Sequence, residues 1–154
     1  MSDMQIDRTY PSRSAAARLL AEVGERVSAR LADRLAELDL TPAQLAVLRR
    51  VGQAPGSSQQ ALSRQLGVGP SRVLKLVDEL EAQGLIERRP NPRDRRRHQL
   101  HIKETAQDRI EALRLAVEAH EQELAQTLAP AELDTLVNLL RKVEAAYAPP
   151  PSKR

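Results

Sequence analysis

The chain has 154 residues, with 24 Lys and Arg against 21 Asp and Glu, no Cys, Trp or Phe, and two Tyr. At roughly 100–200 residues per domain, this is one domain or one domain with extensions. The absence of cysteine excludes a disulfide framework, a thiolate nucleophile, Cys-ligated zinc and thiol redox sensing. Tyr10 and Tyr147 alone cannot build the aromatic platforms that bind single-stranded nucleic acid.

No apolar run approaches the ~18–20 residues of a membrane span, and residues 1–5 lack a basic-then-apolar leader, so the expected location is cytoplasmic. Leu and Ala together fill 45 positions, which points to helices around an aliphatic core. The formal net charge of +3 hides an asymmetry. Residues 58–103 carry ten positive and five negative charges, leaving the flanks at −2. A basic centre between weakly acidic ends suits a polyanionic partner.

Residues 1–11 are aperiodic and read as a flexible arm. Ser12 can cap a long first helix with Leu20, Val23, Val27, Leu31, Leu35 and Leu38 on one stripe, too narrow and too long to be buried by its own neighbours. Thr41-Pro42-Ala43-Gln44 is a capping box with Pro at the first helical position, and it opens a second helix with Leu45, Leu48 and Val51 inward. That helix stops at Gly52 and Ala54-Pro55-Gly56. Ser57 through Gln60 reads as another capping box, starting a short third helix with Ala61 and Leu62 inside, which ends at Leu66-Gly67. After the turn Gly67-Val68-Gly69, Pro70 starts a fourth helix to Gln83, with Val73, Leu76, Val77 and Leu80 inward and Gly84 as its left-handed stop.

Beyond Gly84 the period changes. Leu85-Ile86-Glu87-Arg88 and Gln99-Leu100-His101-Ile102 are short strands, and the segment 90–97 between them is expected to be a hairpin loop. A fifth helix follows with Ile110, Leu113, Val117, His120, Leu124 and Leu128 on one face, and Thr105 with Asp108 can cap it. Pro130 opens a sixth helix with the stripe Leu133, Leu136, Leu140, Val143 and Tyr147. The tail 148–154 is expected to be disordered.

Two helices joined by a short Gly-containing turn fit a helix-turn-helix, whose second helix enters the major groove by its N-terminal residues. The outward residues there are Pro70, Ser71, Arg72, Leu74 and Lys75. Arg72 can reach a guanine edge or a phosphate, Lys75 a phosphate and Ser71 either, while Leu74 offers apolar contact such as a thymine methyl. Residues 88–97 then hold six arginines and one aspartate. A hairpin can present such arginines to a narrow minor groove. The candidates in this wing are Arg93, Asp94, Arg95, Arg96 and Arg97, with Asp94 as a local partner that orients Arg96 or Arg97.

At these residues the sequence resembles the MarR family of bacterial transcription regulators, over about residues 12–147. The resemblance is carried by Leu40-Thr41-Pro42, the stretch 57–66, the segment from Val77-Asp78-Glu79-Leu80 to Glu87-Arg88, and Asp94-Arg95-Arg96. It implies a mostly α fold with a small β-hairpin wing, a winged helix-turn-helix with long N- and C-terminal dimerisation helices. In that arrangement 12–39 and 104–147 form the homodimer and 40–103 reads double-stranded DNA. It also implies a repressor of a palindromic operator, released by a small-molecule effector. Gly69 stands where relatives often carry a capping Ser or Asp, Lys103 where they have Thr, and Leu74 at a position usually polar, so the recognised site should differ from theirs.

Other readings are a protein-interaction module and a non-specific architectural DNA-binding protein. The six arginines of 88–97 count against the first, and site competition separates the second from a regulator. No enzyme is expected. The only histidines are His98, His101 and His120; the first two point to opposite strand faces and the third lies in an apolar stripe, so neither a metal nor a cofactor is expected.

Overall fold

The computed structural model describes residues 12–147, without the side chains of residues 12–14, 95 and 96. The expected arm 1–11 and tail 148–154 lie outside the described residues. The element order is α1 (Ser12–Ala36), α2 (Pro42–Gln53), α3 (Gln59–Leu66), α4 (Pro70–Ala82), β1 (Ile86–Asn91), β2 (Asp94–Ile102), a 3-10 turn (Glu104–Ala106), α5 (Gln107–Ala125) and α6 (Pro130–Tyr147). The chain divides into two compact units after Ala116. No helix among the described residues is long and apolar enough to cross a membrane.

Local chemistry explains most element boundaries in the first unit. The Thr41 side chain accepts from the Gln44 amide at 3.2 Å, and Gln44 Oε1 accepts from the Thr41 amide at 2.9 Å, closing the box that starts α2. Gly67 adopts φ 65°, the left-handed geometry that ends α3 without a Cβ clash. Gly84 does the same after α4 at φ 74°, where the Leu85 amide returns to the Leu80 carbonyl at 2.9 Å.

Four local expectations are corrected. Ser58, not Ser57, caps α3, accepting from the Ala61 amide at 3.2 Å. Ser57 instead donates to the Ala54 carbonyl and pairs its backbone with Leu100, adding a single rung on the other edge of β2. α1 ends at Ala36, so Leu38 sits half-buried in a turn closed by Asp39 at φ 56°, a geometry Asp tolerates better than most residues. α5 is preceded by a 3-10 turn, with Ala106 donating to the Lys103 carbonyl, rather than being capped by Thr105; it ends at Ala125, short of Leu128.

The fourth correction concerns the wing. Segment 90–97 is not a loop: β1 and β2 run antiparallel with Ile86 opposite Ile102 and Pro90 opposite His98, and only Pro92 and Arg93 form the turn. In a two-stranded ribbon both strands are edges, so the missing amide of Pro90 leaves no inner ladder broken. Charged side chains can likewise project to solvent from either face. The register is irregular between Pro90 and Asn91.

The core joins α2, α3, α4 and the hairpin. Leu62, Val73, Val77, Leu80, Ile86 and Leu100 are fully buried, as are Val47 and Val51 of α2, and Leu35 brings the end of α1 into it. Each fully buried Leu or Val contributes about 1.5–3 kcal/mol. Gln44 is the one buried polar residue among those described, satisfied by its capping role and by donating Nε2 to Glu79 at 3.0 Å. The N-terminal half of α1 is different, with Leu19, Leu20 and Val23 each nearly half exposed. In the second unit, α6 buries none of its residues.

Candidate nucleic-acid interface

Burial of Val73, Val77 and Leu80 fixes the rotation of α4 about its axis. With 3.6 residues per turn, the opposite face must carry the residues between them. Pro70, Ser71, Arg72, Leu74 and Lys75 are accordingly all exposed, Leu74 to 47%. The helix starts on Gly69, which has no side chain to cap it, and its first turn has no acid. The preceding turn is pinned by the Ser63 hydroxyl, which donates to the Val68 carbonyl at 2.6 Å.

The far half of α4 is acidic, and these acids restrain nearby cations. Glu79 holds the Gln44 amide with one oxygen and lies 3.9 Å from Lys75 Nζ with the other. A hollow of about 790 Å³ runs between the start of α2 and this face, lined by Thr41, Pro42, Ser71, Arg72, Lys75 and Glu79 among others.

In the wing the arginines divide by role. Arg88 turns back to pair with Asp78 and Glu81 of α4 and is only 20% exposed, so it braces the base of the hairpin against the helix. Arg89 pairs with Glu87 at 2.5 Å. Arg93 lies exposed in the turn, its amide donating to Asn91 Oδ1 at 2.9 Å. Asp94 meets Arg97, one of its two expected partners, with Nε at 3.4 Å. The side chains of Arg95 and Arg96 lie outside those described.

One group of residues went unmarked in the sequence. Ser58, Gln59 and Gln60 at the start of α3 share a cleft of about 200 Å³ with Arg97 and His98 of β2. Every lining side chain carries a hydrogen-bond donor and none is acidic, and Gln59 Nε2 is buried without a partner. The cleft suits an oxyanion. Its halves lie about forty residues apart in the chain, joined by the Ser57–Leu100 rung, so no local pattern announces it.

Among the described residues no group of three potential ligands could hold a metal ion. His98 stands opposite Pro90 and His101 opposite Glu87 on the neighbouring strand.

A helix-turn-helix followed directly by a β-hairpin, with the hairpin braced on the second helix, defines a winged helix-turn-helix protein. The family model described as MarR family matches residues 38–97. Wild-type MarR of E. coli, in its apo form, is 30% identical, covering 82% of this chain and 95% of that one, with a TM-score of 0.69. The chain belongs to the MarR family. It is also similar to the transcriptional repressor CouR bound to a 23-mer DNA duplex, at 26% identity and a TM-score of 0.79, covering 92% of this chain and 99% of that one. A Thauera aromatica protein assigned to transcriptional regulation of the hcr operon is 35% identical over 104 residues, 68% of this chain. The match spans 63% of that relative's length.

Proposed function

We propose that the protein is a sequence-specific, double-stranded DNA-binding transcriptional regulator, a cytoplasmic repressor that binds a palindromic operator as a homodimer and is released by a small ligand. In this reading 40–103 is the DNA-reading region, 12–39 and 104–147 are the dimerisation region, and the chain has no catalytic role. The observation that carries it is the exposed face Pro70, Ser71, Arg72, Leu74 and Lys75, held in one orientation by the buried face of the same helix. The MarR-family membership and the DNA-bound state of the related CouR support it.

The division of labour follows from chemistry. Arg72 and Ser71 offer donors to base edges, Leu74 an apolar contact for a thymine methyl, and Lys75 a point charge for phosphate. The wing candidates Arg93, Arg95, Arg96 and Arg97, with Asp94 orienting Arg97, would engage the backbone or minor groove. The cleft of Ser58, Gln59, Gln60, Arg97 and His98 adds a phosphate contact on the first helix of the motif, the helix that crosses the backbone.

Half-exposed Leu19, Leu20 and Val23 on α1, and Val137, Leu139, Leu140 and Val143 on α6, support a second copy of the chain as the partner of these helices. A ligand with different affinities for two spacings of the paired recognition helices would suffice to switch binding. The hollow lined by Leu31, Leu45, Leu66, Arg49 and Arg50, about 390 Å³, suits a small effector with an aliphatic body and an anionic group.

The test is a titration of duplex DNA selected by the protein from a random-site library, against unselected duplex and across a salt series. A regulator should prefer the selected site by ~10³-fold or more. Equal affinity for both would leave only an architectural role. The log–log salt dependence should have a slope near −0.9 for each phosphate neutralised. Negligible duplex binding at ~0.1 M salt would instead indicate a protein-interaction module.

Two substitutions divide the interface further. Arg93→Ala should weaken all duplexes about equally and reduce the salt slope by about one. An unchanged slope would remove the hairpin tip from the interface. Arg72→Ala should alter the selected motif itself, at a cost of about 1–3 kcal/mol on the preferred site. If the motif survives intact, Arg72 contacts only phosphate.

A further inference from the structure

Arg109 lies in the first turns of α5, and its guanidinium reaches the ends of two other helices. One terminal nitrogen donates to the Gln83 carbonyl at 2.9 Å, and the other donates to the Leu38 carbonyl at 3.3 Å. Gln83 is the C-cap of α4, and Leu38 lies in the turn that ends α1. Carbonyls at helix C-termini lack intrahelical donors and carry partial negative charge. A planar cation with several donors in fixed directions can satisfy two such ends at once, which an ammonium cannot do with the same geometry. The third side is closed by Gln83 itself, whose Nε2 donates to the Asp39 carbonyl at 3.2 Å.

We infer that Arg109 is a positioning residue that locks the C-terminal end of the recognition helix to the end of α1 and the start of α5. The DNA-reading segment is joined to the long helices by only two short connections, the turn around Leu38 and Asp39 and the 3-10 turn Glu104–Ala106. Arg109 follows the second connection and is bonded across the first. A recognition helix of 13 residues is ~20 Å long, so a 10° swing about its C-terminal end displaces the first turn by ~3 Å. That is enough to take Ser71 and Arg72 out of hydrogen-bond reach of a base edge. Arg109 is itself exposed, so its removal opens no cavity and leaves the buried face of α4 untouched.

The consequence for DNA rests on the function proposed above, so the test has one arm that does not use DNA. The protein has no cysteine, which lets two introduced cysteines, Lys75→Cys on α4 and Gln107→Cys on α5, carry spin labels without background. Pulsed electron–electron double resonance, on labelled chains diluted into an excess of unlabelled protein so that intrachain pairs dominate, should give a narrow distance distribution with Arg109 present. Arg109→Ala should broaden or shift it, and Arg109→Lys should fall between the two. An unchanged distribution in Arg109→Ala overturns the inference, whatever the DNA result.

In the second arm, unlabelled protein is titrated with its library-selected duplex and with the same half-sites moved apart by one base pair. Arg109→Ala should reduce the wild-type preference for the correct spacing by about two- to thirty-fold, the range expected for a residue that couples two elements. Sedimentation should show the same oligomeric state as the wild type. A variant that loses thermal stability and affinity for both duplexes equally, with the spacing preference intact, shows a merely structural Arg109 and overturns the inference. Wild-type protein that discriminates between no duplexes refutes the proposed function instead, and the spin-label distances still decide the role of Arg109.

Discussion

Replacing Leu20 and Val23 together by Asp is expected to turn the protein into a monomer and to lower its affinity for a palindromic duplex by ~10²–10⁴-fold, the loss that follows when two linked contacts become two separate ones. Both side chains are already nearly half exposed within one protomer, at 46% and 48%. The substitutions therefore cost the isolated fold little, within about 0.5 kcal/mol each for surface positions away from special features. Across an interface of like helices they place four carboxylates in an apolar seam, where each charge must either stay hydrated or neutralise. Sedimentation measures the oligomeric state, circular dichroism the helix content, and anisotropy the affinity. A dimer that persists with wild-type affinity would remove α1 from the proposed interface. A chain that unfolds would show that the N-terminal half of α1 is needed for folding rather than pairing.

The second large effect separates the two faces of one helix. Leu80 is fully buried, and truncation to Ala should destabilise the protein by about 2–5 kcal/mol, through lost transfer energy and the cavity left behind. Leu74, six residues earlier, is 47% exposed, and Leu74→Ala should leave stability within about 0.5 kcal/mol of the wild type. Urea titrations of the two variants check both expectations. The functional order should be reversed. Leu74→Ala should erase a preference of about 1 kcal/mol for a thymine at one position of the selected site, because the apolar contact to its methyl group is gone. Folded Leu80→Ala protein should keep the wild-type motif. A Leu74→Ala variant with an unchanged motif would mean that the exposed Leu faces no base.

The start of α2, the openings of α4 and α6 and the stops of α3 and α4 were legible in the sequence because they are made by residues within a few positions of one another. Thr41, Pro42 and Gln44 satisfy each other's backbone groups, Pro70 and Pro130 open helices, and Gly67 and Gly84 end them with a positive φ. Leu45, Leu48 and Val51 of α2 and Val73, Val77 and Leu80 of α4 were legible as inward from their period, which one buried stripe imposes. Fully buried Val47 lay outside that pattern, and Leu76 is only half-buried. The outward set on α4 then followed by subtraction. Where local signals competed, the reading slipped: with Ser57 and Ser58 adjacent, tertiary pairing to Leu100 drew Ser57 into the sheet and left Ser58 as the cap.

The wing shows the limit most clearly. Pro90, Asn91 and the run of arginines carry every local mark of a loop, and their composition identified a charged hairpin. The strands extend through them because the Ile86–Ile102 pairing, anchored in the core by Ile86 and Leu100, propagates outward along a ribbon with solvent on both faces.

The sequence by itself determined that this is a helical protein with a helix-turn-helix, a basic hairpin and long amphipathic flanks, since caps, period and charge act over a few residues. Only the tertiary structure decided that Arg88 braces the wing instead of facing outward, that Gln59, Gln60 and His98 join Arg97 in one cleft, and that Arg109 ties together the ends of α1 and α4. Arg109 and Leu38 are 71 residues apart, and which of many carbonyls a guanidinium meets depends on how the core packs. Charge composition counts the arginines; packing assigns each one its partner.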